Sequence, residues 1–584
     1  MGKLPHPSFC DSGGIQTHNL LIRSQMLYSV ELRSLRAILF CFAGAKLLLF
    51  LETAKYFRCF FYFLITKAFF LRGIIYLITN FVNVMRTIYL TLLLIILLSA
   101  PACAGSESWQ LCVSSNSRFL QYSDGRPFFW LGDTGWLLPQ KLDREATKGY
   151  LSRCQQNGYN VVQVQVLNGV PSVNAYGALS NDPQNPWDFS AFAAPAASSR
   201  NASGLSVGAY PSLSYWDHMD YIVKTAEANH IYIAMVCIWG GLVKGGAMDV
   251  EGAKAYGRFL AERYKDSPNI IWVIGGDIQG DVKPEVWTAL AETIKSIDKQ
   301  HLMTFHPRGR HTSAQWWSKA PWIDFHMYQS GHRRYGQRMG NKSYPIPDNT
   351  EEDCWMYVDS TWKYNPVKPV VDGEPSYEDI PKGLHFPDGP RWRSHDVRRY
   401  AYWDVFAGAC GHTYGHNAIM QMARPGDAIA YSRTSKPWYE AQQDSGYVQM
   451  KHLKKLMLML PYFDRVPDQS IIYKDNGTKY DRLIATRGQD YALIYNYSGR
   501  DMHIDMTRIS GQRKNVWWMD AATGELTWIG SYPDGRRTFP ATIIPHHDEA
   551  GIHDGVLVVT DASKTLSDRW ASGPEKGDTK DLTE

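Results

Sequence analysis

Between about residues 128 and 416 the chain repeats one pattern, in which a short apolar run is followed by a helical stretch. Runs that are apolar on both faces are typical of parallel strands covered by helices. The repeat predicts a (β/α)8 TIM barrel, an α/β fold whose reactive groups lie at the carboxyl ends of its strands. The eight predicted strands begin near residues 128, 161, 231, 270, 302, 323, 369 and 409.

The alternative fold is a doubly wound open sheet. That fold needs a Gly-x-Gly-x-x-Gly turn after its first strand, and the turn at Gly132–Trp136 has a different sequence. Helical periodicity and helix stop signals such as Gly158 support the barrel further. The predicted helices cover residues 144–157, 217–229, 250–264, 285–298, 352–364 and 394–406.

Two of the predicted strands end at a carboxylate. The apolar run Ile270–Ile274 is followed by two glycines and Asp277, and Val370–Val371 leads to Glu374. A single acid in such a place is often only a turn former or a helix cap. These two close the fourth and seventh strands, which face each other across the mouth of an eight-stranded barrel. A glycosidic bond is cleaved between two carboxylates, so the pair indicates a glycosidase.

The sequence also resembles a known family. Four segments, Phe129–Trp136, Asn157–Gln163, Ile274–Asp277 and Asp372–Tyr377, are similar to motifs of the apiosidase-like glycoside hydrolases, family 140. The resemblance covers roughly residues 115–450.

This resemblance implies a retaining barrel enzyme with Asp277 as acid/base and Glu374 as nucleophile. It also implies cleavage at apiose in side chains of the pectin rhamnogalacturonan II. The residues alone do not separate apiose from arabinofuranose, so another barrel glycosidase such as an arabinofuranosidase stays an alternative. We expect the long segment 168–215 to discriminate between these sugars.

Further polar and aromatic residues lie at predicted strand ends and form a candidate substrate pocket. Trp136 and Trp239 suit stacking against a sugar, and Tyr328 is placed to donate a hydrogen bond to Glu374 and keep it ionised. For any one of these residues a purely structural hydrogen bond is an equal alternative. The candidates are Asp133, Trp136, Gln165, Asn168, Trp239, His306, Arg308, His326, Tyr328, His412, Tyr414 and His416.

The sequence predicts neither a metal site nor a cofactor. The histidines lack the spacing of a zinc motif, and no Cys-x-x-Cys occurs. Wide spacing of the cysteines also argues against a disulfide scaffold, although one bridge is compatible with an oxidising compartment. The cysteines after residue 104 are Cys112, Cys154, Cys237, Cys354 and Cys410.

The barrel is predicted to span residues 105–456, and a small β-sandwich to follow at 457–563. The second part resembles the collagen-binding-type β domain found in such proteins, for which we expect an accessory role. Residues 564–584 are charged, which predicts a disordered tail. The predicted strands of the sandwich are residues 482–486, 491–497, 502–506, 515–519, 525–529 and 556–560.

The first 104 residues differ from the rest. Residues 1–84 are interpreted as an upstream extension from a start assigned too early, or as disordered, because their apolar runs 39–50 and 56–70 are broken by Lys and Arg. Residues 85–104 have the features of a signal peptide cleaved after Ala104. Lipidation of Cys103 is the alternative. We therefore expect a secreted or periplasmic protein.

Charge distribution bears on the partners. The net charge is +4, but residues 1–104 hold ten Lys and Arg against three Asp and Glu, which leaves 51 against 54 in the remainder. This excludes a nucleic-acid footprint. The glycosidase interpretation implies a polysaccharide or oligosaccharide partner. Two rival interpretations stay open: a non-catalytic protein that binds matrix or carbohydrate, and a membrane protein anchored through residues 38–80.

Overall fold

The structure is a computed structural model that describes residues 108–189, 214–337, 346–347, 350–384, 388–427, 432–541, 552 and 554–564. These residues belong to one compact unit, Glu107–Glu584. The predicted upstream extension, the signal peptide and residues 565–584 of the predicted tail lie outside the described residues, as does part of the segment 168–215. No helix in the described ranges is both long enough and apolar enough to cross a bilayer.

The barrel follows a small antiparallel sheet of three strands. This sheet consists of β1 (Leu111–Val113), β2 (Leu120–Tyr122) and β3 (Pro127–Phe128). The barrel strands are β4 (Trp130–Thr134), β5 (Val161–Leu167), β6 (Tyr232–Ile238), β7 (Ile270–Ile278), β8 (Met303–Pro307), β10 (His326–Gln329), β11 (Val370–Asp372) and β12 (Gly411–Tyr414). A short strand β9 (His311–Thr312) pairs antiparallel with β10.

The eight barrel strands are parallel and lie in the order β8-β7-β6-β5-β4-β12-β11-β10. The ring closes between β8 and β10, where the N–H of Asp324 donates to the carbonyl of Met303 at 2.9 Å. The Thr304 hydroxyl also donates to the carbonyl of Phe325 at 2.7 Å. The predicted barrel is confirmed, and each of its strands begins within three residues of the predicted start.

Helices cover the outside of the barrel. Helix α2 shows why they form where they do: Asp143 caps its N-terminus by accepting from the N–H of Ala146, and Gly158, with φ of +80°, ends it. The helices are α1 (Leu138–Lys141), α2 (Arg144–Gln156), α3 (Tyr215–Ala228), α4 (Gly240–Lys244), α5 (Val250–Tyr264), α6 (Pro284–Ile297), α7 (Ala314–Trp317), α8 (Trp355–Thr361), α9 (Ser394–Phe406), α10 (Asn417–Met420), α11 (Trp438–Ala441) and α12 (Ser445–Leu458).

Two of the predicted elements differ most from the structure, and helix α12 and the strands at Val466–Pro467 and Arg536–Phe539 were not predicted. The run predicted as one strand from residue 128 is two strands, because Pro127–Phe128 pairs with β2 while the barrel strand begins at Trp130. The helix predicted over 352–364 covers only Trp355–Thr361, because Glu352 and Asp353 are held by side-chain contacts before the helix begins.

The C-terminal region forms two antiparallel sheets. One has six strands in the order β13-β14-β15-β20-β17-β18, and the other pairs β16 with β19. The strands are β13 (Val466–Pro467), β14 (Ile484–Arg487), β15 (Tyr491–Asn496), β16 (Met502–Asp505), β17 (Arg513–Asp520), β18 (Leu526–Pro533), β19 (Arg536–Phe539) and β20 (Gly555–Asp561). Short 3-10 turns occupy Tyr462–Asp464, Gln469–Ile471, Lys479–Asp481 and Met506–Arg508.

The six-stranded sheet has two apolar faces because its side chains alternate. Val516, Trp518 and Leu557 belong to the core between the two sheets. Val556 and Val558 point the other way and join the core that continues into the barrel. The predicted β domain is confirmed, and its larger sheet packs directly on the barrel.

A buried ion pair joins α9 to the C-terminal domain. Nη2 of Arg398 lies 2.5 Å from Oδ1 of Asp554, and Nε of Arg398 donates to Oδ2 at 3.0 Å. The Tyr495 hydroxyl also donates to Oδ2 of Asp554 at 2.8 Å. Both charged groups are buried, so each depends on the other for compensation.

Replacing Asp554 with Asn should lower the free energy of unfolding by about 3–5 kcal/mol, because the charge of Arg398 would stay buried without its counter-ion. Urea unfolding monitored by circular dichroism measures this. The matched control is Glu251→Gln, which removes the exposed pair with Lys254 and should cost less than about 0.5 kcal/mol. Equal losses in the two variants would contradict the assignment.

Candidate active site

Strand β7 ends in a bulge that turns Asp277 out of the sheet. Gly275, Gly276 and Asp277 have φ values of +86°, +124° and +46°, and the register with β8 shifts between Gly275 and Ile278. A side chain at Gly276 would come within 2.8 Å of Trp239, so only glycine fits there. Positive φ is strained for Asp, and such strain is found mostly at functional sites. The bulge leaves Asp277 as the exposed residue of an otherwise buried strand.

Glu374 follows β11 and is held by its backbone. Its N–H donates to Oδ1 of Asp372 at 3.1 Å, and its carbonyl accepts from the N–H of Gly331 at 3.0 Å. Its carboxylate lies between two histidines: Nε2 of His332 is 3.1 Å from Oε1, and Nε2 of His306 is 3.3 Å from Oε2. The residue is buried, so these contacts decide its charge.

His306 connects the two strand-end acids. The backbone N–H of Asp277 donates to Nδ1 of His306 at 3.1 Å. An N–H can only donate, so Nδ1 must be the unprotonated nitrogen and Nε2 must carry the hydrogen. That hydrogen is on the nitrogen that faces Glu374. The His306 imidazole thereby fixes the backbone of Asp277 and stabilises the negative charge of Glu374.

The two acids have opposite pKa shifts. Although Asp277 opens to solvent at the barrel mouth, the protein atoms packed around its carboxylate desolvate it, and together with the nearby negative charge of Glu374 they raise its pKa to about 6. Burial alone would raise the pKa of Glu374 as well, but its contacts with His306 and His332 outweigh burial and lower that pKa to about 2. Near pH 4 the first acid is mostly protonated and the second ionised. This is the division of roles that acid catalysis with a carboxylate nucleophile requires.

Aromatic rings form the wall beside these acids. The ring of Trp136 lies 5.6 Å from that of Trp239 and meets His306 edge-on at 5.5 Å. Nε1 of Trp136 donates to the hydroxyl of Tyr377 at 3.2 Å. Arg308 is exposed beside Asp277, where its charge opposes the rise in the pKa of that acid. The wall therefore offers apolar faces and one cation to a bound sugar.

The structure brings some of the predicted pocket residues together. Trp136, Trp239, His306 and Arg308 surround the acids as described above. Asn168 is exposed at the end of β5, where its Oδ1 accepts from the Ser172 hydroxyl at 2.9 Å.

Gln165 is buried, and its backbone N–H donates to the carbonyl of Trp136 at 2.9 Å. It therefore adjoins the wall through its backbone.

The prediction for Tyr328 is wrong. Its buried ring stacks on Tyr357 at 5.4 Å, and its hydroxyl faces Asp404 instead of Glu374. Asp133, predicted to line the pocket, lies beneath α2 instead, where its carboxylate accepts from the Tyr150 hydroxyl at 2.6 Å. Burial there raises the pKa of Asp133 to about 6. Both side chains point away from the pocket because neighbouring residues of a strand face opposite sides.

Four other predicted residues are buried in structural contacts and need the same correction. Each is buried and contacts a nearby polar side chain inside the protein. Nδ1 of His326 contacts the Ser313 hydroxyl, Nδ1 of His412 contacts Asp404, the Tyr414 hydroxyl donates to Glu378, and Nε2 of His416 contacts Asp444.

The sequence analysis missed two residues of the site, His332 and Tyr377. His332 lies in the loop after β10, where no strand or motif marks it. Tyr377 follows the Glu374-Pro375-Ser376 segment, so the motif itself carried the signal. The two rings meet at 4.6 Å. Together they complete the surroundings of the Glu374 carboxylate.

A second group of acids lies beneath Glu374. Asp372 accepts from the backbone N–H of Ser330 at 3.3 Å and is also bonded by the Ser330 hydroxyl. Burial and the charge of Asp404 raise the pKa of Asp372 well above its usual value. Burial raises the pKa of Asp404 to about 7, and its Oδ2 lies 2.8 Å from Nδ1 of His412. This group supports the backbone that carries Glu374.

Within the described ranges, no three His, Cys, Asp or Glu residues are grouped so that they could hold a metal ion. The five cysteines in that part of the chain, Cys112, Cys154, Cys237, Cys354 and Cys410, are unpaired. The site described above consists of carboxylates, imidazoles, aromatic rings and the guanidinium of Arg308.

Two solved structures define the class of protein. One, titled "Glycoside hydrolase", is 54% identical with a TM-score of 0.72 and matches 79% of this chain and 98% of its own. The other is a glycoside hydrolase family 5 protein from Bacteroides vulgatus ATCC 8482, also 54% identical with a TM-score of 0.72, covering 78% of this chain and 95% of its own. None of the curated proteins compared matches the chain. The fold, the acid pair and these similarities show that the chain is a glycoside hydrolase.

The family follows from the sequence models. Residues 114–464, more than half of the chain, match the model described as "Apiosidase-like, catalytic domain". Residues 466–560 match a second model, described as "Putative collagen-binding domain of a collagenase". The chain belongs to the apiosidase-like family.

The opposite pKa shifts predict a bell-shaped pH dependence of kcat/KM. Activity requires Glu374 to be ionised, so the rate should fall as the pH drops towards about 2. It also requires Asp277 to be protonated, so the rate should fall as the pH rises above about 6. Steady-state kinetics on a natural oligosaccharide, whose leaving group needs a proton, between about pH 1.5 and about 8 measure both limbs.

His306→Ala should move the acidic limb to higher pH, because Glu374 loses a contact that lowers its pKa. Asp281→Asn, an exposed acid on the same loop as Asp277, is the control and should leave the profile unchanged. An acidic limb that stays in place in His306→Ala would show that His306 does not set the charge of Glu374.

Proposed function

We propose that the chain is a retaining glycosidase that releases apiose from side chains of the pectin rhamnogalacturonan II. The observation that carries the mechanism is the pair of strand-end acids whose pKa values are shifted apart. The apiosidase-like family supports the choice of sugar. The exposed guanidinium of Arg308, on the side of the proton donor, suits a leaving group from an acidic polysaccharide.

In this mechanism Glu374 attacks the anomeric carbon while Asp277 gives its proton to the departing glycosidic oxygen. A covalent bond forms between the sugar and Glu374, and the leaving group departs as an alcohol. Asp277, now ionised, takes a proton from water, which displaces the sugar from Glu374. The two carboxyl groups of a retaining enzyme are separated by about 5–5.5 Å. His306 and His332 would hold Glu374 in position as the charge on its carboxylate is consumed and restored.

The two acids should behave differently when each is replaced. Glu374→Gln removes the nucleophile and should lower kcat on every substrate by on the order of 10⁴-fold or more. Asp277→Asn should keep much of its activity on aryl glycosides with good leaving groups, since these depart without a proton. Azide should accelerate its second step, because the anion attacks without a general base. The measurements are kcat on activated and natural substrates, with and without azide.

Asp281→Asn again serves as the control and should retain the wild-type rates. If azide rescued Glu374→Gln with retention of configuration, while Asp277→Asn stayed inactive on activated substrates, the two roles would be reversed. Wild-type rates in both variants would mean that the acid pair does not carry the reaction.

The sugar specificity is tested by product analysis. The wild-type enzyme is incubated with rhamnogalacturonan II side-chain oligosaccharides and, separately, with arabinan, and the released monosaccharides are separated by anion-exchange chromatography. We expect apiose from the first and no arabinose from the second. Arabinose alone would make the enzyme an arabinofuranosidase. No release from either substrate or from aryl glycosides would favour a protein that only binds carbohydrate.

We also propose that residues 85–104 act as a signal peptide and that the enzyme is exported. The support is the short basic start, the apolar segment and the small residues before Gly105. N-terminal sequencing of the protein from a producing cell should give a mature start at Gly105. A start at Cys103 with an attached lipid would indicate a lipoprotein, and a start before residue 38 would favour a membrane anchor.

A further inference from the structure

The loop after β10 carries His332, which contacts the nucleophile. Nε2 of His332 lies 3.1 Å from Oε1 of Glu374, and the carbonyl of His332 accepts from the N–H of Gly383 at 3.0 Å. Three residues later, the backbone N–H of Tyr335 donates to Oε1 of Glu352 at 2.9 Å. The path of this segment therefore depends on where the Glu352 carboxylate is held.

Glu352 is buried and is bonded from three sides. Nη2 of Arg399, on α9, lies 2.6 Å from its Oε2. The hydroxyl of Tyr480 lies 3.0 and 3.1 Å from its two oxygens. Tyr480 belongs to the C-terminal domain, in the turn between β13 and β14. A residue from outside the barrel thus completes the hydrogen bonds of a carboxylate inside it.

The contacts around Tyr480 extend to the loop itself. The ring of Tyr480 meets the ring of Tyr335 edge-on at 5.2 Å, and the Tyr335 hydroxyl donates to Oδ1 of Asp353 at 2.6 Å. The guanidinium of Arg399 lies 4.7 Å from the centre of the Tyr480 ring and 5.0 Å from that of Tyr497, also of the C-terminal domain. Two tyrosines of this domain enclose the cation that pairs with Glu352.

We propose that Tyr480 is a positioning residue for the nucleophile. By bonding Glu352 it fixes the backbone at Tyr335, and through that segment it sets the distance between His332 and Glu374. The C-terminal domain is then a structural part of the active site as well as an attached module. The proposal rests on the glycosidase function proposed above.

The consequence for catalysis follows from the groups that face Glu374. These are Asp277 from β7, His306 from β8, His332 from the loop after β10 and Tyr377 after β11. Tyr480 is linked, through Glu352 and Tyr335, to the segment that carries His332. Loosening that contact removes a hydrogen bond that lowers the pKa of Glu374, so ionisation of the nucleophile requires a higher pH.

The test compares Tyr480→Phe with wild type. Phenylalanine keeps the ring and its packing but removes the hydroxyl that bonds Glu352. We expect kcat to fall roughly 3- to 10-fold with KM changed less than about twofold, because the substrate pocket is untouched. We also expect the acidic limb of kcat/KM to move up by roughly 0.5 to 1 pH unit.

Tyr473→Phe is the matched control. Tyr473 lies in the same domain, seven residues before Tyr480, but its ring packs 5.8 Å from that of His503 and carries Arg536 stacked on it at 5.1 Å. This variant should have wild-type kinetics. A fall in kcat without movement of the acidic limb in Tyr480→Phe would indicate a general loss of stability and would overturn the proposal.

A double variant tests the route. In His332→Ala the acidic limb should already be shifted, and adding Tyr480→Phe should shift it no further, since the two changes act through one contact. An equal additional shift would overturn the proposal by showing that Tyr480 acts through another residue.

A readout that does not depend on activity separates this proposal from the proposed function. If wild type cleaves no glycoside, the proposed function fails, and the ring ¹⁵N resonances of His332 then decide the role of Tyr480. They should move in Tyr480→Phe and stay in place in Tyr473→Phe. Unchanged His332 resonances in Tyr480→Phe would overturn the proposal.

Discussion

The hydrogen bond from the backbone of Asp277 to Nδ1 of His306 is the contact on which the site depends. It fixes the tautomer of the imidazole, so that Nε2 presents its hydrogen to Glu374. The ring thereby directs a hydrogen at the negative nucleophile. Burial and the charge of Glu374 raise the pKa of Asp277 despite the opposing effect of His306. The two glycines of the bulge, Gly275 and Gly276, make this contact possible, because their positive φ values bring the backbone N–H of Asp277 to the His306 ring.

The barrel could be predicted because its strands are continuous apolar runs that end at recognisable turns. The direction of a side chain at a strand end could not be predicted, because a shift of one residue moves it to the other face. Asp133 and Tyr328 are both strand-end residues of suitable chemistry, yet one faces α2 and the other faces α8 and α9. Asp277 and Glu374 do not follow the alternation of a regular strand. The bulge at the end of β7 and the segment after β11 turn them towards the mouth of the barrel.

The loop residues of the site were harder to foresee for a different reason. His332 reaches Glu374 through contacts with residues distant in sequence, and neither periodicity nor spacing records such contacts. Tyr377 was visible as part of a motif, but its role depends on the Trp136 indole that it accepts from, 241 positions away along the chain. Sequence patterns report local periodicity well. Sequence patterns show that two loops are in contact only when both contacting residues belong to recognisable motifs.

A single residue, Arg465, separates the part of the chain that matches the catalytic domain from the part that matches the collagen-binding-type domain. Arg465 is buried, and its guanidinium donates to the carbonyls of Val405 and Ala409 at the end of α9. No stretch of free linker separates the two parts, because the residue between them is itself anchored in the barrel. A domain joined in this way cannot swing to present a bound polymer to the catalytic pocket. Grafted onto another barrel, it would keep these contacts only if that barrel offered carbonyls in the same place.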